Sequence, residues 1–139
     1  MKKLILLLLL IPNLVMAENV LYCQDELSTG LIKKNGVWNT INFKLERHTY
    51  KFNDDYTKID GVGRPMNCYQ PFPNNIFVIT CSTFNQDSYA DTNNRNNRDY
   101  TFVFDKSSKR YTMSIISSSG YGNYWEDISS LTTGTCEKF

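Results

Sequence analysis

Residues 100–116 read YTFVFDKSSKRYTMSII, and the fold turns on them. Tyr100, Phe102 and Phe104 alternate with smaller side chains before the run DKSSK, and Tyr111, Met113 and Ile115 alternate with Thr112 and Ser114 after it. A period of two sets the large residues of each arm on one face of a strand. Asp105, Ser107 and Ser108 are turn formers, so residues 105–109 read as the connection. Two alternating arms across one polar turn make an antiparallel hairpin with a shared aromatic face.

The rest of the chain repeats this grammar. Val20 to Cys23 reads as a first short strand, and Ser28-Thr29-Gly30 as a turn. Asn35-Gly36 is the strongest short hairpin cue, because both residue types tolerate positive φ. Residues 37–43 follow as a strand containing Trp38. Arg47 to Phe52 puts His48, Tyr50 and Phe52 on one face, and Asn53-Asp54-Asp55 closes it. Residues 76–81 (IFVITC) form a continuous apolar run, the pattern of a central strand covered on both faces. Tyr124, Ile128 and Leu131 sit at helical spacing, but Ser129, Ser130, Thr132 and Thr133 are poor helix-interior residues. A loop leading into a last strand with Cys136 is expected there. Residues 91–99 (DTNNRNNRD) read as an exposed loop tip. The fold class is therefore all-β: a small antiparallel meander of about seven or eight strands, closed as a barrel or stacked as a two-layer sandwich.

The N-terminus has a different character. Lys2 and Lys3 precede the apolar run Leu4 to Ile11, Pro12 and Asn13 end it, and Val15-Met16-Ala17 suits a cleavage site. Residues 1–17 read as a bacterial signal peptide, helical before its removal, with residues 18–139 as a single β domain. The run is too short for a membrane span. The bulky Tyr22 before Cys23 does not suit lipidation. Loss of Lys2 and Lys3 turns the formal charge from +1 to −1. Such a balance lacks the basic stripe of a nucleic-acid binder and the polybasic patch of a membrane-surface protein. Periplasmic or secreted localisation is expected.

Export changes the meaning of the four cysteines, which become disulfides rather than thiols. Four cysteines allow three connectivities. Cys68 and Cys81 are close in sequence, while Cys23 and Cys136 fall in the first and last strands, which become neighbours if a meander closes. The pairs expected are Cys23–Cys136 and Cys68–Cys81. A zinc site is not expected, since no Cys-x2-Cys spacing occurs and His48 is the sole histidine.

Catalytic signatures are missing. The chain has no Gly-x-Ser-x-Gly elbow, no phosphate-binding loop and no dinucleotide glycine pattern. Strand alternation accounts for His48 as an inward or rim residue. Glu26, Glu46, Asp54, Asp55, Asp60, Glu126 and Asp127 are scattered carboxylates without a recognisable pair. The oxygen-rich stretches around Asp54-Asp55, Asp60-Gly61 and Asp87 do not match the ligand spacing of a calcium loop. No catalytic residue, metal or cofactor is expected. The terminal Phe139 is reminiscent of outer-membrane barrels, but strands of about 5–7 residues fall short of the 9–11 a bilayer requires. Stable membrane insertion is not expected.

Aromatic side chains supply the candidate binding residues. Tyr121, Tyr124 and Trp125 cluster beside Gly120 and Gly122, as a contact platform for a protein or carbohydrate partner or as a plug at one barrel end. Residues 71–75, 84–99 and 117–126 are the expected contact loops.

Two resemblances add to this reading. Tyr22-Cys23-Gln24-Asp25, Gly30, Asn35-Gly36-Val37-Trp38, Phe43 and the ending Gly134-Thr135-Cys136-Glu137-Lys138-Phe139 resemble short secreted cysteine-containing β-proteins of marine bacteria and their phages. That likeness implies no activity and no site residues. Ser119-Gly120-x-Gly122-x-Tyr124-Trp125 before a late cysteine is similar to the C-terminal half of the periplasmic inhibitors of C-type lysozyme. It implies a disulfide-bearing barrel acting through a loop that enters another protein's cleft. The function expected is an exported, non-enzymatic binding domain, working as a monomer. The alternatives are a small-ligand carrier with a barrel pocket and a carboxylate-based hydrolase.

Overall fold

The structure is a computed structural model that describes residues 19–63, 65–83, 98–117 and 127–138. Residues 1–17, expected to be a signal peptide, lie outside these residues. Among the described residues nine antiparallel strands form: β1 (Asn19–Lys34), β2 (Val37–Asn42), β3 (Arg47–Phe52), β4 (Lys58–Asp60), β5 (Met66–Tyr69), β6 (Val78–Ser82), β7 (Arg98–Asp105), β8 (Arg110–Ser117) and β9 (Asp127–Lys138). Eight of them close a barrel in the order β1-β3-β4-β5-β6-β7-β8-β9, with β9 pairing back onto β1. β2 stands outside the ring. The meander is thus a closed barrel and not a sandwich.

The hairpin at 100–116 forms with Phe102 opposite Met113 and Phe104 opposite Tyr111. Arg47–Phe52 also forms as read. Asn35 and Gly36 both take positive φ, 51° and 81°, and make the tight turn between β1 and β2.

Three readings change. Ser28-Thr29-Gly30 is not a turn but the middle of a 16-residue strand. The second half of β1 is held on both sides, by β2 through Thr29–Lys34 and by β9 through Leu27–Lys33. A bulge between Asp25 and Leu27 re-aims the strand, and pairing along two edges overrides local turn propensity. Gly30 serves close approach here, since a Cβ would sit 2.0 Å from the Ser129 carbonyl oxygen. Residues 127–138, expected as a loop and a short strand, form a 12-residue strand whose many Thr and Ser suit the pleated, half-buried surface. The apolar run at 76–81 is not covered on both faces. Ile79 and Cys81 point inward at 1% and 0% exposure, whereas Ile76 and Phe77 precede the strand and are exposed. A strand of a closed barrel has only one dry face. β1 and β9 also exceed the strand lengths expected from the sequence.

Inward residues fill the barrel. Tyr50, Phe52, Phe102, Phe104 and Tyr111 touch one another with ring centroids 4.8 to 6.3 Å apart, mostly edge-on or offset. Leu21, Ile59, Val62, Met66 and Ile79 pack around them. Each buried ring or branched side chain contributes roughly 1.5–3 kcal/mol. The side chains that fill the barrel are apolar. Among the described residues no helix is long and apolar enough to cross a membrane.

Both disulfides are those expected. Cys23–Cys136 bridges directly paired residues of β1 and β9, and Cys68–Cys81 bridges paired residues of β5 and β6. The first clasps the seam where the last strand returns to the first. Such bridges persist outside the reducing cytosol, so the fold belongs to an oxidising compartment.

Candidate interaction surfaces

One end of the barrel gathers three connections and both ends of the described chain. Asn19, at the start of β1, accepts hydrogen bonds from the Tyr56 hydroxyl at 3.0 Å and from Lys138 at 2.6 Å. The Lys106 ammonium lies 5.0 Å from the centre of the Tyr56 ring. The Lys106 N–H donates to the Phe77 carbonyl at 2.9 Å. These contacts join the β3–β4, β7–β8 and β5–β6 connections into one pole.

The β5–β6 connection, with Tyr69 at the end of β5, carries exposed apolar side chains at that pole. Tyr69, Phe72, Ile76 and Phe77 are 57%, 56%, 57% and 50% exposed. Pro71 and Pro73 bracket Phe72 and restrict its backbone. The Asn75 N–H donates to the Phe72 carbonyl at 3.0 Å, and the Phe77 N–H to Asn75 Oδ1 at 3.1 Å. The loop is hydrogen-bonded in place, and its rings point to water. Residues 71–75 were one of the contact loops expected from the sequence.

Asp25 is the one buried carboxylate among the described residues, and the sequence reading passed over it. The Tyr111 hydroxyl donates to its Oδ1. The Glu46 N–H donates to Oδ2 at 3.0 Å, and His48 Nε2 lies 3.2 and 3.3 Å from the two oxygens. Gly134 makes this possible. It stands between Tyr111 and Asp25 in the register of β8, β9 and β1, and a Cβ there would meet the Tyr111 ring at 2.8 Å and the Gln24 carbonyl oxygen at 2.1 Å. Tyr111 therefore reaches across a strand through space a side chain would occupy. His48 stacks on Tyr50 at 5.6 Å, and the Tyr50 hydroxyl is buried without a protein partner. A signal for Asp25 existed. It shares the parity of Leu21 and Cys23, and an inward carboxylate requires donors.

Burial raises both phenols, Tyr50 and Tyr111, well above their ordinary value; the hydrogen bond to Asp25 adds to the shift at Tyr111, and the Asp25 charge adds at both. The folded barrel then holds two protons that the unfolded chain releases near pH 10. Stability from this source is complete below about pH 10 and falls as pH rises beyond it. Urea midpoints are expected to stay level to about that pH and then drop, with two phenols ionising at 295 nm only as the structure melts. Reversible titration of every phenol near pH 10 with the fold intact would refute this.

A third surface lies on the sheet that extends beyond the barrel. Leu31 of β1 and Ile116 of β8 flank Ser129 of β9, while Leu131 of β9 flanks Thr29 of β1. Leu27, Leu31, Ile116, Leu131 and Trp38 are 43% to 56% exposed. Ile32, on the opposite face, is buried. Trp38 pairs with Lys33, whose ammonium lies 5.7 Å from the indole centre.

Tyr121, Tyr124 and Trp125 lie outside the described residues, as do residues 84–97. Among the described residues no three His, Cys, Asp or Glu side chains converge as a metal would need. Comparison of the chain with protein-family models, curated proteins and solved structures finds no match.

Proposed function

We propose that the chain is an exported, non-enzymatic interaction domain whose β5–β6 loop docks into a cleft of a partner protein. The observation that carries this reading is the loop at 69–77: four large apolar side chains, each at least half exposed, on a backbone fixed by two prolines and internal hydrogen bonds. A rigid aromatic loop loses little entropy on binding, and rings of this kind dominate interface energies. An interior occupied by aromatic rings favours a binding scaffold over a ligand carrier. The single buried carboxylate among the described residues, engaged by Tyr111, Glu46 and His48, favours a structural role over paired-carboxylate hydrolysis. A barrel filled with apolar side chains and stapled by two disulfides suits the periplasm or the exterior.

Immobilised domain is incubated with periplasmic and culture-medium proteins, and bound protein is cross-linked and mapped. A discrete partner linked through residues 69–77 is expected. Phe72→Ala should weaken its capture tenfold or more while leaving the melting temperature within about 2 °C, since an exposed residue contributes little to stability. Capture unaffected by Phe72→Ala and Phe77→Ala, or no partner at all, would refute the proposal.

A further inference from the structure

β2 is the last strand of the sheet, and among the described residues nothing pairs with its outer edge. Every other strand has a neighbour on each side, because the barrel closes. Exposed edges are usually blunted by Lys, Pro or a bulge. β2, VWNTIN, contains none of these. Asn35-Gly36 is a two-residue hairpin turn, so Lys34 and Val37 close a hydrogen-bonded pair. The alternation of an antiparallel ladder then turns Val37, Asn39 and Ile41 toward β1, and the Phe43 N–H, donating to the Ser28 carbonyl at 2.9 Å, continues the series. The backbone N–H and C=O groups of Trp38, Thr40 and Asn42 are left facing the open edge.

We propose that this edge takes a second copy of the chain, with β2 pairing antiparallel to β2 of its partner about a two-fold axis at Thr40. The strand is complementary to itself in this register. Thr40 meets Thr40 of the partner subunit, and Trp38 meets Asn42 of the partner subunit, so that the open-edge groups of both strands are satisfied in bonded pairs. Val37, 61% exposed in the single chain, comes level with Phe43 of the partner subunit. Leu31 and Trp38 of the two copies join one outer face, continuous with Leu131 and Ile116. No charge lies on β2, and the mature chain is almost neutral, so repulsion between copies is small. The interface is isologous, as two-fold dimers require. The inference goes beyond the docking loop, which lies in a different part of the molecule, and replaces the monomer expected from sequence.

Sedimentation equilibrium of the residue 18–139 domain tests it. Dimers that dissociate at micromolar concentration are expected. Thr40→Lys sets two like charges opposite each other on the axis, and should weaken association tenfold or more with unchanged circular dichroism and melting temperature. Thr40→Cys should cross-link the dimer on oxidation, whereas Trp38→Cys, which does not meet its own copy, should not. A wild-type chain monomeric at several hundred micromolar overturns the proposal, as does a Thr40→Lys chain that still dimerises. An edge that binds only an extended peptide from another protein shows itself as that monomer.

Discussion

Replacing Cys23 and Cys136 together by alanine should lower folding stability by about 4–5 kcal/mol, and replacing Cys68 and Cys81 by about 3 kcal/mol. The difference follows from loop length: the pairs are separated by 113 and 13 residues. The longer loop restricts the unfolded chain more. Topology acts in the same direction. Cys23–Cys136 clasps β1 to β9, the one pairing that turns a meander into a closed ring. For a domain of this size the loss corresponds to a fall of about 15–20 °C in melting temperature. Urea unfolding of the two double variants measures both values. A Cys68/Cys81 replacement that costs more than the Cys23/Cys136 replacement would show that the seam is held by something else.

The second large effect is expected at Asp25. Asp25→Ala leaves the Tyr111 hydroxyl, the Glu46 N–H and the His48 ring without their acceptor. Stranding buried donors in this way costs about 3–5 kcal/mol, comparable to breaking a buried ion pair. Asp25→Asn keeps a carbonyl oxygen and should cost roughly half as much. Tyr111→Phe removes one donor from the same network, so in the Asp25→Ala background its further cost should fall to about zero, by the logic of a double-mutant cycle. Additive costs in that cycle would mean that Tyr111 and Asp25 do not act through each other. A loss below about 1 kcal/mol for Asp25→Ala would mean that the network contributes little.

Much of this fold can be read from residue parity. The β7–β8 hairpin, the strand at 47–52 and the Asn35-Gly36 turn all follow from period-two patterns and turn chemistry. The disulfide pairing follows once the meander is closed, because closure brings Cys23 beside Cys136. What parity missed has a common cause. Ser28-Thr29-Gly30 looks like a turn when only its own propensities count, and becomes strand because β2 and β9 grip both edges. Residues 127–134 lack apolar alternation for the same reason: their pairing with β1 and β8, not a local signal, makes them a strand. The run at 76–81 looks doubly buried because apolar density hides which residues precede the strand. Asp25 was legible through the parity of Leu21 and Cys23, but its partner Tyr111 lies 86 residues away, and only the gap above Gly134 joins them. Of the exposed loop at 69–77, the sequence marks only residues 71–75 as a contact loop; Ile76 and Phe77 read as part of a covered strand, and their exposure depends on where that strand begins.

A disulfide map of the natively purified protein, digested without reduction, tests the closed barrel most directly. Peptides joining Cys23 to Cys136 and Cys68 to Cys81, with no free thiol, are the expected result. A peptide joining Cys23 to Cys68 or to Cys81, or four titratable thiols, would show that β9 does not return to β1 and that the ring is open.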